Sequence, residues 1–295
     1  MKTEIVKKYL RMDKMPTVWC PGCGHGIIMG SMLRALELYG CTKDDIVIVS
    51  GIGCSGRTPG YIDANTLHTT HGRAIPFATG IKIMNPKLTV IAAMGDGDCA
   101  AIGGNHFIHA ARRNVNITAI VFNNGIYGMT GGQVSPTTPY EAFASTAPYG
   151  QLEPPFDVVK LALGAGASYV ARSSIDDIPK LDEIILNGIK NSGFAVIDVI
   201  TPCPIAYGRR NKLTDDPMEN LKWIRDITIT QKKAEKMGEE ELKGKWVTGV
   251  FRDKEQMDLT SLYLELEERM KELKDEKKEE KVEKIDEKTD EEKRE

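Results

Sequence analysis

Short apolar runs alternate with longer helical stretches over the first two thirds of the chain, and this rhythm constrains the fold more than any other feature. Five runs are nearly continuously apolar, which is typical of strands buried on both faces; they are Ile46–Ser50, Leu88–Met94, Ile117–Phe122, Ser168–Arg172 and Phe194–Ile200. Five helix candidates lie beside them: His25–Leu38, Arg73–Met84, Asn105–Arg113, Phe156–Leu163 and Ile175–Ile189. The alternation predicts an α/β fold, an open and mainly parallel sheet with helices on both faces.

The character of the sequence changes in its last third. We expect residues 1–217 to form the α/β domain and residues 218–273 to form a helical extension, with helices near Glu219–Lys232 and Leu259–Leu273. Residues 274–295 are almost all charged, so they cannot bury enough apolar surface to offset the entropy of ordering. We therefore expect this tail to be disordered or a frayed helix.

Composition and charge exclude several classes of function. The 295 residues are 41% hydrophobic and carry a formal net charge of -3, so no overall basic field would recruit nucleic acid. The first residues lack the apolar stretch of a secretory signal, and no run is long enough for a membrane span. We expect a cytoplasmic protein in which the six cysteines are thiols or metal ligands rather than disulfides.

Polar residues with metal-ligand character follow two of the predicted strands. Leu88–Met94 runs into Gly-Asp-Gly-Asp at residues 95–98, and Ile117–Phe122 runs into Asn123 and Asn124. Ligand sites in open α/β sheets form at the carboxyl ends of strands, so Asp96 and Asn124 are expected to lie close together. A carboxylate and an amide oxygen are hard ligands suited to Mg²⁺ or Ca²⁺ that also binds phosphate.

Two other interpretations of this motif compete with a metal-bridged diphosphate. Gly95, Gly97 and Ala100 match the G-x-G-x-x-A pattern of a dinucleotide fold, but Asp96 then stands where pyrophosphate needs backbone donors. A purely structural turn is the second alternative. The sequence GDG, followed after 25 residues by NN at the next strand end, favours thiamine diphosphate over both.

Four cysteines are placed where they could converge beside this motif. Cys20 and Cys23 form a C-x-x-C pair in a Pro/Gly turn, while Cys54 and Cys203 follow the strands Ile46–Ser50 and Phe194–Ile200. The number of ligands alone does not separate zinc from a [4Fe–4S] cluster. A cluster would accept electrons from a thiamine-dependent reaction, whereas a zinc-stapled module without redox function remains the alternative. We expect Cys41 and Cys99 to be packing residues.

Between Thr17 and Pro217 the chain resembles the β subunits of 2-oxoacid:ferredoxin oxidoreductases, most closely those that act on 2-oxoglutarate or branched-chain 2-oxoacids rather than the pyruvate type. The segments that carry the resemblance are CPGCGHG, SGIGCSG, HTTHGRAIPFATGIK, GDGDCAAIGGNHFIHAARRN, NNGIYGMTGGQVSPTTP and TPCP. The resemblance implies a thiamine diphosphate-binding domain of the pyrophosphate type. It also implies CoA-dependent oxidative decarboxylation of a 2-oxoacid, with electrons passing through a [4Fe–4S] cluster to ferredoxin.

The resemblance assigns roles to individual positions. The cluster ligands would be Cys20, Cys23, Cys54 and Cys203, and the Mg²⁺ ligands would be Asp96, Asn124 and the carbonyl of Ile126. The residues around the diphosphate and thiazolium would be Gly97, Asp98, Gly128 and Met129, and those on the cluster side would be Ile52, Gly53, Cys54 and Ser55. Arg57 and His71 are expected to contact substrate or cofactor. Gly131 stands where certain relatives carry a lysine.

The resemblance also implies partners. The carboxylate that thiamine needs at its aminopyrimidine comes, in relatives, from a domain that this sequence does not contain. We therefore expect an α subunit to dock at the carboxyl edge of the strands, with γ and δ subunits as further candidates. The substrates would be a 2-oxoacid and CoA.

Overall fold

An eight-stranded sheet forms the centre of the computed structural model, which describes residues 2–213 and 216–292. The strands are β1 Ile46–Ser50, β2 Asn65–His68, β3 Thr89–Gly95, β4 Ile117–Asn123, β5 Tyr169–Ser174, β6 Phe194–Ile200, β7 Thr228–Thr230 and β8 Trp246–Asp253. Their order is β2-β1-β3-β4-β6-β5-β8-β7; the first six are parallel, β8 is antiparallel to β5, and β7 is parallel to β8. The predicted α/β fold with a mainly parallel sheet is confirmed.

Helices cover both faces of the sheet. They are α1 Lys2–Tyr9, α2 His25–Tyr39, α3 Thr58–Tyr61, α4 Ala74–Met84, α5 Gly104–Arg112, α6 Val158–Ala165, α7 Ile178–Lys190, α8 Pro217–Ile227, α9 Gln231–Ala234, α10 Glu239–Leu242 and α11 Leu259–Glu292. Helices α2 and α7 pack together on one face, and α4, α5 and α6 cover the other. Side-chain oxygens of Asp157 and Asp177 cap the first turns of α6 and α7, satisfying backbone N–H groups that have no helical partner.

The strands contribute to two separate cores because successive side chains point to opposite faces. In β1, Ile46 and Ile48 join the core beneath α2 and α7, whereas Val47 and Val49 join the core beneath α4 and α5. Each such side chain contributes about 1.5–3 kcal/mol when fully buried. Burial on both faces explains why the strands appear in the sequence as continuous apolar runs.

The predicted C-terminal organisation needs one correction. Residues 218–273 are not all helical, because the helix expected at Glu219–Lys232 ends at Ile227 and the chain then contributes β7 and β8 to the main sheet. The tail, expected to be disordered or a frayed helix, continues α11 as far as Glu292, while residues 293–295 lie outside the described part. Leu259–Glu292 contains no Gly or Pro and is rich in Glu, Lys and Leu, which all favour helix.

The parallel arrangement brings the carboxyl ends of β1, β2, β3, β4 and β6 to one edge of the sheet. The loops after these strands carry most of the residues singled out in the sequence. None of the described helices combines the length and the apolar character that crossing a membrane requires.

Candidate functional site

A pocket lies at the carboxyl edge of the sheet, between the loops that follow β1, β3 and β4. It is lined by His25, Ile52, Gly53, Cys54, Ser55, His71, Gly95, Asp96, Gly97, Asp98, Phe122, Asn124, Ile126, Tyr127, Gly128, Met129 and Thr130. Every residue predicted to bind the cofactor or Mg²⁺ is in this set, as is His71. Cys20, Cys23, Cys203 and Arg57 are not part of the lining.

Asp96 forms the buried acidic end of the pocket. Its side chain follows β3 and the residue is 2% exposed. The Asn124 backbone N–H donates to Oδ1 at 3.3 Å, and the Thr137 hydroxyl donates to Oδ2 at 2.7 Å. Burial raises the pKa of Asp96, and hydrogen bonds from Ser135, Thr137 and Asn124 oppose this rise. The carboxylate is therefore held in one orientation by two groups from the loop after β4.

Asn124 lies next to Asp96 at the start of the loop after β4. Its side-chain Oδ1 accepts a hydrogen bond from the Ile126 backbone N–H at 3.2 Å. This local bond fixes the course of the chain directly after β4. The amide of Asn124, the carbonyl of Ile126 and the carboxylate of Asp96 thus belong to neighbouring strand ends.

Asp98 connects three loops. Its Oδ1 accepts backbone N–H groups from Ile52 at 3.2 Å and from Gly72 at 2.7 Å, and it lies 3.2 Å from His71 Nδ1. Burial raises the pKa of Asp98, while these neighbours lower it. Asp98 Oδ2 and Ser55 Oγ are buried and have no hydrogen-bond partner within the described residues. Such atoms are usually satisfied by a water or a ligand.

Two glycines make room at the pocket wall. A Cβ at Gly97 would lie 2.3 Å from the ring of Tyr127, whose hydroxyl donates to the Gly97 carbonyl at 3.2 Å. A Cβ at Gly51 would lie 2.0 Å from Asp98 Oδ2. Any side chain at either position would displace a residue of the pocket, so glycine is required there for close packing.

Loops from distant parts of the chain hold the predicted thiols beside this pocket. The Trp19 indole N–H donates to the carbonyl of Cys54 at 2.8 Å, and the Thr201 hydroxyl donates to the carbonyl of Cys23 at 2.6 Å. The first bond ties the C-x-x-C loop to the loop after β1. The second ties it to the loop after β6, which carries Cys203.

The four thiols lie within electrostatic range of one another. Burial, with smaller contributions from negative charge on Cys20, Cys54 or Cys203, raises the pKa of Cys23 to about 12. Burial likewise raises the pKa of Cys54 to about 11, again with contributions from Cys203 and Cys20. At neutral pH the metal-free thiols of Cys23 and Cys54 therefore hold their protons, and a metal must displace these protons when it binds.

The other two cysteines lie outside this group. Cys41 follows α2, and its sulfur faces the carbonyl of Leu36. Cys99 is 1% exposed, and the charges that affect its thiol belong to aspartates rather than to other cysteines. In the described part of the chain, no three His, Cys, Asp or Glu side chains are grouped to hold one metal ion.

The two residues predicted to act on substrate differ in position. His71 lines the pocket, its side chain is 35% exposed, and its ring lies 5.8 Å from that of Tyr127. Arg57 is exposed one turn beyond Cys54, and its charge lowers the pKa of that thiol. His71 therefore faces the pocket, whereas Arg57 stands at its rim near the thiols.

Two residues with clear structural roles in the site were missed from the sequence. Tyr127 packs against Gly97 and His71, and its position directly after the NN motif could have indicated a lining residue. Thr137 lies 41 residues from its partner Asp96, and nothing in the local sequence distinguishes it from other loop threonines.

Fold and site together define a thiamine pyrophosphate-binding domain. Residues 51–199 match the family model described as thiamine pyrophosphate enzyme, C-terminal TPP binding domain. The matched range begins directly after β1 and includes β2 to β6 without Ile200, and it contains the whole loop region between Gly51 and Tyr127 that lines most of the pocket.

Comparisons with individual relatives identify the class of thiamine pyrophosphate-binding protein more closely. The chain is 50% identical over 264 residues to the 2-oxoglutarate synthase subunit KorB of Methanocaldococcus jannaschii, covering 90% of this chain and 97% of that one. It is 44% identical over 210 residues to the 2-oxoacid:ferredoxin oxidoreductase subunit beta of Saccharolobus solfataricus, covering 68% and 69%. The solved 2-oxoglutarate:ferredoxin oxidoreductase of Magnetococcus marinus, with 2-oxoglutarate, coenzyme A and succinyl-CoA bound, superposes with a TM-score of 0.79 at 34% identity, covering 90% of each chain.

The chain belongs to the family of 2-oxoacid:ferredoxin oxidoreductase β subunits, which confirms the resemblance seen in the sequence. It is therefore one subunit of an oxidoreductase complex with a thiamine diphosphate-binding domain.

Proposed function

We propose that this β subunit takes part in the CoA-dependent oxidative decarboxylation of 2-oxoglutarate, with electrons passing to ferredoxin. Thiamine diphosphate would be held through Mg²⁺ at the ends of β3 and β4, and a [4Fe–4S] cluster would be held by Cys20, Cys23, Cys54 and Cys203. The observation that carries the proposal is that the loops bearing the hard oxygen ligands and the four cysteines lie at one edge of one sheet.

The charge of the pocket supports a divalent cation. Its lining contains Asp96 and Asp98 and, within the described residues, no lysine or arginine. Thiamine diphosphate brings further negative charge, so a cation is needed between the diphosphate and Asp96. The Asp96 carboxylate, the Asn124 amide and the Ile126 carbonyl are oxygen ligands that suit Mg²⁺. The unpartnered oxygen of Asp98 fits a pocket that receives a polar ligand.

The cofactor and the residues of the chain would contribute different parts of the chemistry. Bound thiamine diphosphate supplies an electron sink for the carbon that loses CO₂. Asp98 fixes the loops after β1 and β2, which would border the cofactor, by accepting the N–H groups of Ile52 and Gly72. The overall reaction converts 2-oxoglutarate and CoA into succinyl-CoA and CO₂ and releases one proton and two electrons, which two ferredoxin molecules accept singly.

The thiols support the cluster assignment. A [4Fe–4S] cluster requires four thiolates, and the hydrogen bonds from Trp19 to Cys54 and from Thr201 to Cys23 tie together the loops that carry these four cysteines. Protein purified anaerobically should be brown, absorb broadly near about 400 nm and contain about four irons per chain. Cys203→Ala should lose this iron, whereas Cys41→Ala should keep it. Equal iron content in the two variants, or a colourless protein with one zinc, would contradict the assignment.

An α subunit would complete the site. The pocket lining offers no glutamate within the described residues to face the aminopyrimidine of thiamine, so a partner chain would supply that carboxylate. The names of the relatives as subunits support this partner, and γ and δ subunits are further candidates. The isolated β subunit should then bind the cluster and still be inactive.

Ferredoxin reduction by the complete enzyme tests the function. The native complex is isolated anaerobically and assayed with CoA and with 2-oxoglutarate, pyruvate or 2-oxoisovalerate in parallel. We expect the highest kcat/KM with 2-oxoglutarate, in keeping with the names of the most similar relatives. Preference for 2-oxoisovalerate or pyruvate would mean that the enzyme acts on a different 2-oxoacid by the same reaction. Failure to reduce ferredoxin with any of the three would contradict the proposal.

A further inference from the structure

A charged pair is buried in the sheet directly behind the candidate metal site. Asp198 in β6 is completely buried, and Arg172 in β5 is 3% exposed. The Arg172 Nε–H donates to Asp198 Oδ2 at 2.8 Å. The other carboxylate oxygen, Oδ1, accepts a hydrogen bond at 3.0 Å from the side-chain amide of Asn123, the last residue of β4.

Stability does not account for such a pair. Removing two charges from water costs several kcal/mol, and well-packed apolar residues at the same positions are often as stabilising or more so. The other residues of β6 are all apolar, so an apolar residue at position 198 would fit this alternative. What the carboxylate adds is a directed acceptor for Asn123, which precedes Asn124 in the chain.

Arg172 also makes two contacts with residues other than Asp198. A second guanidinium nitrogen donates to Asp157, the residue that caps α6, and the guanidinium lies 4.7 Å from the ring centroid of Trp246 in β8. The guanidinium of Arg172 is therefore fixed by Asp198 in β6, by Asp157 at the start of α6 and by Trp246 in β8, and Arg172 in turn fixes the orientation of Asp198. Its freedom to rotate away from Asn123 is small.

We propose that the Arg172–Asp198 pair is a positioning element for the metal site, which holds Asn123 and thereby orients Asn124 toward the metal shared with Asp96. This inference rests on the proposed function, since it concerns the affinity of the thiamine diphosphate site for its cation. Asp198 does not touch the metal and acts through Asn123.

The test compares Asp198→Asn with Asp157→Asn in the assembled enzyme. Both variants remove one charged partner of Arg172, and asparagine at residue 157 still caps α6. Only Asp198→Asn weakens the bond to Asn123. Thiamine diphosphate binding is titrated with Mg²⁺ alone as the cation. Asp198→Asn should raise the Mg²⁺ concentration at half-saturation about tenfold, which is the lower end of the range expected when a hydrogen bond to a charged group is weakened. Asp157→Asn should change this concentration less than about twofold.

A second variant tests the same hydrogen bond in case Asp198→Asn does not fold. Asn123→Ser removes the same link but leaves the Arg172–Asp198 pair intact, and it should raise the Mg²⁺ requirement by a similar factor. The double variant should then add little to either single change. An unchanged Mg²⁺ requirement in Asn123→Ser, or equal shifts in Asp198→Asn and Asp157→Asn, would overturn the inference alone. Absence of thiamine diphosphate binding in the wild type at saturating Mg²⁺ would overturn the proposed function as well.

Discussion

Replacing Thr137 by valine should weaken metal binding without altering the shape of the site. The Thr137 hydroxyl donates to Asp96 Oδ2 at 2.7 Å, and the two residues are 0% and 2% exposed. Valine has nearly the same volume, so no cavity forms, but one oxygen of a buried carboxylate loses its donor. A hydrogen bond to a charged group contributes about 1.5–3 kcal/mol, which corresponds to roughly 10- to 150-fold in affinity.

Mg²⁺-dependent binding of thiamine diphosphate to the assembled enzyme measures this effect. Thr137→Ser is the matched control, because it keeps the hydroxyl and loses only the methyl group. We expect the Mg²⁺ concentration at half-saturation to rise at least tenfold in Thr137→Val and less than about threefold in Thr137→Ser. Equal values for the two variants would mean that the hydroxyl does not hold Asp96 in its metal-binding orientation.

Two further changes test other parts of the structure. Gly51→Ala would place a Cβ 2.0 Å from Asp98 Oδ2 and break the two hydrogen bonds that Asp98 accepts from backbone N–H groups. Thiamine diphosphate affinity should therefore fall about 100-fold. The control is Gly80→Ala, which has open space around it and should leave the affinity unchanged. Burial lowers the pKa of Lys82, whose ammonium donates to the Leu88 carbonyl at 2.7 Å, so the unfolded chain holds this proton more tightly than the folded one. The free energy of unfolding of the wild type should therefore rise relative to that of Lys82→Met as the pH approaches 10.5, and parallel pH profiles of the two proteins would contradict this.

Strands and helices of the central domain could be predicted because burial leaves a strong pattern. The five predicted strands are all present, with ends shifted by at most two residues, since a strand covered on both faces is apolar along its whole length. The edge strand β2 was missed because Asn65–His68 is short, polar and partly exposed. Strands β7 and β8 were missed for the same reason, since their residues are only half-buried.

The candidate site could be located because strand ends converge by topology. Asp96 and Asn124 follow adjacent parallel strands, so their approach requires only that β3 and β4 pair. The positions of Arg57 and Thr137 depend instead on how loops fold back. A loop conformation is determined by hydrogen bonds between distant residues, such as the one between Thr137 and Asp96, and these leave no local pattern in the sequence.

Asp198 shows that a stronger inference from the sequence was available. It is the single charged residue in the run Phe194–Ile200, which otherwise has the pattern of a strand buried on both faces. A carboxylate at the centre of such a strand must be paired, because burying an unpaired charge costs far more than one strand gains. Arg172 ends the predicted strand Ser168–Arg172, so it was the available partner in the sequence. The pairing of β5 with β6, which sets Arg172 opposite Asp198, could therefore have been predicted from charge alone.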